Sequence, residues 1–264
     1  MMMNVLFFTP VVLYLLAMVL QFAGTAFKKE GLKKAAWVVL LVSASVHAAY
    51  TVVRGVKAGR VPLSNQFEFA NAFALGVAVM GIVFRLRGKQ SMDWMVTICL
   101  PMAFLLISYA ALQPRDIHEL MPALRSTWFT LHIGTAVLSY SSFALAACMG
   151  IRYLLLEKKG DEKHLAQLDL LAYKMVSFGF LMLSIVILSG CIWAEQAWST
   201  FWSWDPKEVW ALITWIVYAI YLHQHIRKKA RGHKMAIFAV FGFVFVMFTF
   251  MGVNKLMSGL HSYA

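Results

Sequence analysis

VLFFTPVVLYLLAMVLQFAGTAFKKEGLKK, residues 5–34, runs from position 5 to 26 without a charge and then places four lysines, Lys28, Lys29, Lys33 and Lys34, in its tail. A spanning helix needs about 20 mostly apolar residues, so 5–26 is long enough to cross a bilayer. No Lys or Arg precedes the run, which reverses the charge order of a secretory leader. The run is therefore expected to remain as a membrane span. The same grammar recurs at 35–53, 66–84, 92–112, 128–151, 171–193, 208–226 and 235–253, giving eight candidate spans.

Composition agrees. The 264 residues are 61% hydrophobic and 14% charged, where soluble domains run near 45–50% and about 25%. An ordinary soluble enzyme, a disordered chain and a nucleic-acid module are excluded. The net charge of +12 is explained by placement. Loops 27–34, 85–91, 152–174 and 227–234 carry 17 of the 24 Lys and Arg residues. With these loops inside, the positive-inside rule gives an all-α bundle of eight transmembrane helices, N-out and C-out. The outer segments are then 54–65, 113–127, 194–207 and 254–264, and the chain reads as one integral membrane domain over 1–264. The stretch 157–170 reads as a solvated helical connector. Cys99, Cys148 and Cys191 each lie in an apolar run and form no C-x-x-C pair. They read as packing residues rather than a disulfide or zinc framework.

The informative segment is WAEQAWSTFWSWDPKEVWALITW, residues 193–215, with six of the nine tryptophans. An interfacial aromatic belt needs only one or two rings at a helix end. Several rings on one outer loop provide broad flat faces, suited to stacking on a planar macrocycle. The loop also has a mechanical stop. Asp205 suits the N-cap of the following helix, Pro206 its first position, and Glu208 the third residue after the cap. Asp205 is equally readable as a cap and as a ligand contact.

This segment resembles the tryptophan-rich signature, here 193–210, of the haem-handling cytochrome c assembly proteins, and within them the CcsA (ResC) group of System II cytochrome c synthases. PLSNQFEF at 62–69, TWFTLHIGTAVLSYSSFA at 127–144 and GVNKLMSGLHSYA at 252–264 are similar to further motifs of that family. The sequence departs from it at Ser199, where the family usually has Gly, and at Phe67 and Phe201, where Tyr is frequent.

The resemblance implies haem b as substrate and ligand, held by Trp198, Trp202, Trp204 and Asp205. It implies an external pair of iron ligands at His132 and His261, and an intramembrane ligand at His223. The partner of His223 is either His47, an ionisable residue deep in a span and so a functional candidate, or a histidine of a second subunit. Helical rise puts His47 and His223 about 10 Å apart in depth. His225 lies on another face of its helix from His223 and is set aside. His118, His164 and His233 read as surface residues. Arg54, Lys57, Arg60, Arg115, Arg125, Lys207 and Lys255 are the outer cations that could meet haem propionates.

The implied partners are a CcsB-like subunit, apocytochrome c and thiol-reducing proteins, with no nucleic acid. No catalytic residue is assigned to this chain, because the attacking thiols belong to the apocytochrome. Haem lyase activity is expected only together with the CcsB-like subunit. The expected location is a bacterial plasma membrane with the haem site on the external face. Two alternatives stay open. A CcmC-like haem carrier is opposed by eight spans and the GLHSYA ending. A HemX-like regulator of haem synthesis is opposed by the full tryptophan signature.

Overall fold

A computed structural model describes residues 2–88 and 92–257. Among the described residues, eight helices are long and apolar enough to cross a membrane. They are α1 (Met2–Ala26), α2 (Glu30–Ala58), α3 (Gln66–Gly88), α4 (Trp94–Ala111), α5 (Thr127–Leu156), α6 (Glu162–Trp198), α7 (Pro206–Arg227) and α8 (His233–Met247). α8 continues through a π turn, Phe248–Gly252, to Val253–Leu256. Each expected span falls on one helix, and no strand occurs among the described residues.

Two boundaries differ from expectation in an informative way. α6 begins at Glu162 and ends at Trp198. At 1.5 Å per residue its 37 residues extend about 55 Å, well beyond a hydrocarbon core of about 30 Å. It therefore absorbs most of the expected connector at one end and the first six residues of the signature at the other. The connecting loop is only 199–205.

The helices form two compact units, 1–119 and 120–264. In the first, α1 packs on α2, α3 on α4, and α1 also touches α4. A buried ion-pair cluster gathers around Glu68 of the PLSNQFEF stretch. Arg54, 2% exposed, donates from Nε to Glu68 Oε1 at 2.9 Å and from Nη1 to the Arg115 carbonyl at 2.8 Å. Arg60 donates to Glu68 Oε2 at 2.8 Å, and the Ser64 amide reaches the same oxygen at 2.8 Å. A buried carboxylate persists only with such satisfaction. Arg54 and Arg60 are thus committed to Glu68.

In the second unit α5 is the central element, paired along its length with α6 and also packed on α8. Residues 139–150, SYSSFALAACMG, are buried throughout. Small side chains let the backbones close up, as membrane helix interfaces favour. The Ser139 hydroxyl donates to the Gly179 carbonyl at 2.8 Å, and Trp215 Nε1 donates to Ser184 Oγ at 2.9 Å, tying α7 to α6. Trp210 packs on Phe248 with ring centroids 4.2 Å apart. That contact brings the start of α7 beside the end of α8.

Candidate functional site

At one end of the second unit lie the start of α5, the end of α6, the 199–205 loop, the start of α7 and the end of α8. Ser126 caps α5, its hydroxyl accepting from the Trp128 amide, and donates to Gln196 Oε1 at 3.0 Å. The start of α5 is thereby joined to the last turn of α6.

His132 sits on the second turn of α5. Its Nδ1 is 2.8 Å from the Val186 carbonyl on α6. A carbonyl only accepts, so Nδ1 carries a proton, which in the neutral ring leaves the lone pair on Nε2. Iron-binding histidines commonly have this arrangement, the second nitrogen donating to a carbonyl or carboxylate. Trp193 lies beside the imidazole, centroids 6.1 Å apart and planes 21° apart. Trp193 is 1% exposed, and its indole N–H donates to the Ala123 carbonyl at 2.8 Å. With Leu124 and Phe129 it forms a small apolar core, against which Trp198 packs. The signature tryptophans therefore divide. Trp193 is interior, Trp198 lines its edge, and Trp202 and Trp204 belong to the loop.

The loop is held in a conformation that only glycine adopts readily. Ser199 ends α6 with φ 54° and Trp204 has φ 59°. For a residue with a Cβ the left-handed region costs roughly 1–2 kcal/mol. Ser199 thus accounts for one departure from the family pattern, since the usual glycine there matches the backbone. Strain at Trp204 is held from both sides by Glu208. Its Oε2 accepts from the Ser203 amide at 2.9 Å, the Ser203 hydroxyl at 3.3 Å and the Asp205 amide at 3.2 Å. Trp204, gripped between those amides, is 69% exposed. Trp202 meets it edge to face at 5.7 Å, and the Trp202 indole N–H is buried without a hydrogen-bond partner.

Asp205 caps α7 as the sequence suggested. It is 6% exposed, and its Oδ1 accepts from the Lys207 amide at 2.9 Å. The reciprocal Glu208 bond completes the capping box, with Pro206 in the first turn.

The remaining candidates are dispersed. His47 is fully buried in the first unit with both nitrogens engaged, Nε2 at 3.0 Å from Asn71 Oδ1 and Nδ1 at 3.3 Å from the Tyr14 hydroxyl. His223 is exposed on the outer side of α7, opposite the buried Tyr218, Tyr221 and His225. His261 lies outside the described residues. The described chain ends at Met257, four residues before it, and on the same element Thr249 lies 3.4 Å from the Trp210 carbonyl in the first turns of α7.

His225 sits in a different environment from its neighbour. It stacks on Tyr173 at 4.1 Å and lies 3.4 Å from Asp169 Oδ2. Asp169 also accepts from the Gly232 amide at 3.1 Å. These groups border a cavity of about 640 Å³ at the other end of the unit, which Arg231 also lines. Sequence reasoning missed Val186 and Gly190, which touch His132, and gave Glu208 only its capping bond. Their signals, a glycine in an apolar helix and a glutamate after Asp-Pro, are common features without their partners in view.

Comparison with known proteins gives this geometry a context. A family model described as a cytochrome c assembly protein matches residues 63–261. The chain is a member of the cytochrome c assembly protein family. It is 37% identical over 239 residues to the cytochrome c biogenesis protein CcsA of Guillardia theta, covering 80% of this chain and 79% of that one. The CcsA of Gloeothece citriformis is 30% identical over 319 residues, covering 98% and 97%. The CcsA of Chlamydomonas reinhardtii is 37% identical over 223 residues, covering 80% of this chain and 63% of that one. A solved structure, the cytochrome c haem lyase CcmF, superposes with TM-score 0.69 at 11% identity, covering 98% of this chain. This cytochrome c assembly protein spans about half of that lyase, 47% of its length, and shares its fold. Similarity to the CcsA of Gloeothece citriformis runs across both helical units, further than the stretch from 62 onward that carries the sequence resemblance.

Proposed function

We propose that this chain is the haem-presenting subunit of a System II cytochrome c synthase, handling haem b as substrate and working with a CcsB-like subunit. The observation that carries this reading is His132, held with its proton on Nδ1 at the end of the unit that also carries the exposed tryptophan loop. In this reading His132 and His261 provide the external axial ligands, an ordinary haem arrangement. The convergence of the starts of α5 and α7 with the end of α8 supports pairing a residue on α5 with the tail after Met257. Trp202 and Trp204 offer ring faces to the macrocycle, and Asp205 and Glu208 keep them in place.

His223 is proposed as an intramembrane ligand whose second ligand comes from the partner subunit. Its exposure on α7 suits an interface, and the engagement of both His47 nitrogens argues against His47. The orientation proposed is N-out and C-out in a bacterial plasma membrane, with haem presented externally to apocytochrome c. Thioether formation adds a cysteine S–H of the apocytochrome across a haem vinyl double bond, sulfur to one carbon and hydrogen to the other. The addition itself consumes no oxidant, while thiol-reducing partners keep the cysteines available. This chain contributes ligation, orientation and exclusion of competitors.

The test is holocytochrome c formation in cells expressing this chain with its partner. His132→Ala should abolish product while the protein persists, and added imidazole should restore part of it by filling the vacated axial position. Undiminished activity in His132→Ala would remove the central residue from the reading.

A further inference from the structure

The proposed role of His132 requires its imidazole to have one defined tautomer and one defined direction, and α6 is shaped around it at three points. Gly190 is the first. A Cβ on Gly190 would lie 2.8 Å from both Cε1 and Nδ1 of His132, nearer than side chains tolerate. Glycine inside a helix costs about 1 kcal/mol relative to alanine, and the imidazole occupies the space its missing side chain leaves. The second point is the Val186 carbonyl, one turn before Gly190, which accepts the Nδ1 proton at 2.8 Å. The third is Trp193, three residues after Gly190. Its ring is anchored by the Ala123 carbonyl at 2.8 Å and flanks the imidazole with planes 21° apart. Positions 186, 190 and 193 recur at helical spacing, so one face of α6 presents all three.

We propose that Gly190, the Val186 carbonyl and Trp193 form a positioning slot that locks His132 in the Nδ1-protonated tautomer and so makes Nε2 its iron-binding atom. This rests on the reading of His132 as a haem ligand. It assigns Trp193 to supporting the ligand, in contrast to the loop tryptophans that meet the macrocycle. Gly190 and Trp193 are positioning residues. Losing such a support typically weakens metal binding by about 10- to 100-fold.

The slot can be tested without haem. The full chain, labelled with nitrogen-15 histidine and placed in lipid vesicles, should show His132 protonated at Nδ1, its resonance assigned by loss in His132→Ala. Gly190→Ala should disturb that state. Gly134→Ala is the control, because a Cβ there meets nothing within 4 Å, and it should leave the tautomer unchanged. An Nε2-protonated His132 in the unaltered chain overturns the proposal, even if Gly190→Ala does not accumulate. So does a Gly190→Ala protein with the tautomer intact. With the partner subunit and haem present, Gly190→Ala should lower copurified haem by the same 10- to 100-fold. Imidazole should restore the reduced-haem spectrum of Gly190→Ala as it does for His132→Ala. Failure of imidazole to restore Gly190→Ala while restoring His132→Ala would show a general packing defect and overturn the slot. An unchanged haem spectrum in His132→Ala, with the Nδ1 tautomer present, would instead overturn the ligand reading beneath it.

Discussion

Replacing Glu208 by Ala should release the tryptophan loop while leaving the eight helices in place. Three donors converge on Glu208 Oε2, from the Ser203 amide, the Ser203 hydroxyl and the Asp205 amide. Hydrogen bonds to a charged group contribute roughly 1.5–3 kcal/mol each when buried. This loop is partly hydrated, so the lower end applies, and the two backbone bonds together supply about 3 kcal/mol. Against them stands the left-handed Trp204 at φ 59°, strained by about 1–2 kcal/mol. With Glu208 present the bonds win. Without it the strain favours release, and the folded loop conformation should lose on the order of 100-fold in population, at 1.4 kcal/mol per decade. Hydrogen exchange at the Ser203 and Asp205 amides reads this directly, and both should accelerate by about that factor. Glu208→Gln keeps a neutral carbonyl acceptor, with bonds about half as strong, and should show a smaller acceleration and keep much of its copurified haem. Unchanged exchange in Glu208→Ala would refute the clamp. Equal damage from Gln and Ala would show that the carboxylate charge, rather than its acceptor geometry, is what the loop requires.

Asp205→Asn preserves the N-cap and should retain most haem, whereas Asp205→Ala should destabilise the loop end of α7 by about 1 kcal/mol; haem per mole of purified protein compares the two. Trp204→Ala should lower copurified haem without altering span topology, because burying a tryptophan face removes on the order of 150–250 Å² from water, an upper bound of several kcal/mol at about 25 cal/mol/Å². Ser199→Gly should raise the thermal midpoint slightly, since relief of about 1–2 kcal/mol of left-handed strain exceeds the roughly 0.5–1 kcal/mol entropic penalty of glycine; a lower midpoint would contradict it. Reporter fusions at Gly88, Gly160 and Gly232 should read as cytoplasmic and those at Gln113 and Ser258 as external, and a cytoplasmic signal at Ser258 would put His261 on the wrong side.

The sequence by itself determined the membrane class, the number of helices and the stop of the signature loop. Each follows from local rules: length of an uncharged run, placement of lysines, and an Asp-Pro-Lys-Glu cap whose bonds close within four residues. Its family resemblance also named candidate site residues, among them His132 and the signature tryptophans. What local rules cannot supply is which side chains meet across helices. His132 and Val186 are 54 positions apart in the chain, and only the pairing of α5 with α6 turns an ordinary valine carbonyl into the acceptor that sets a tautomer. The same packing separates Trp193, buried against Ala123, from Trp204, exposed on a strained turn, although both belong to one tryptophan-rich stretch. It also separates His223 from His225, two residues apart on α7, by turning one outward and stacking the other on Tyr173. Burial, stacking and ring-nitrogen pairing are properties of neighbours brought from distant positions, and tertiary structure alone decides them.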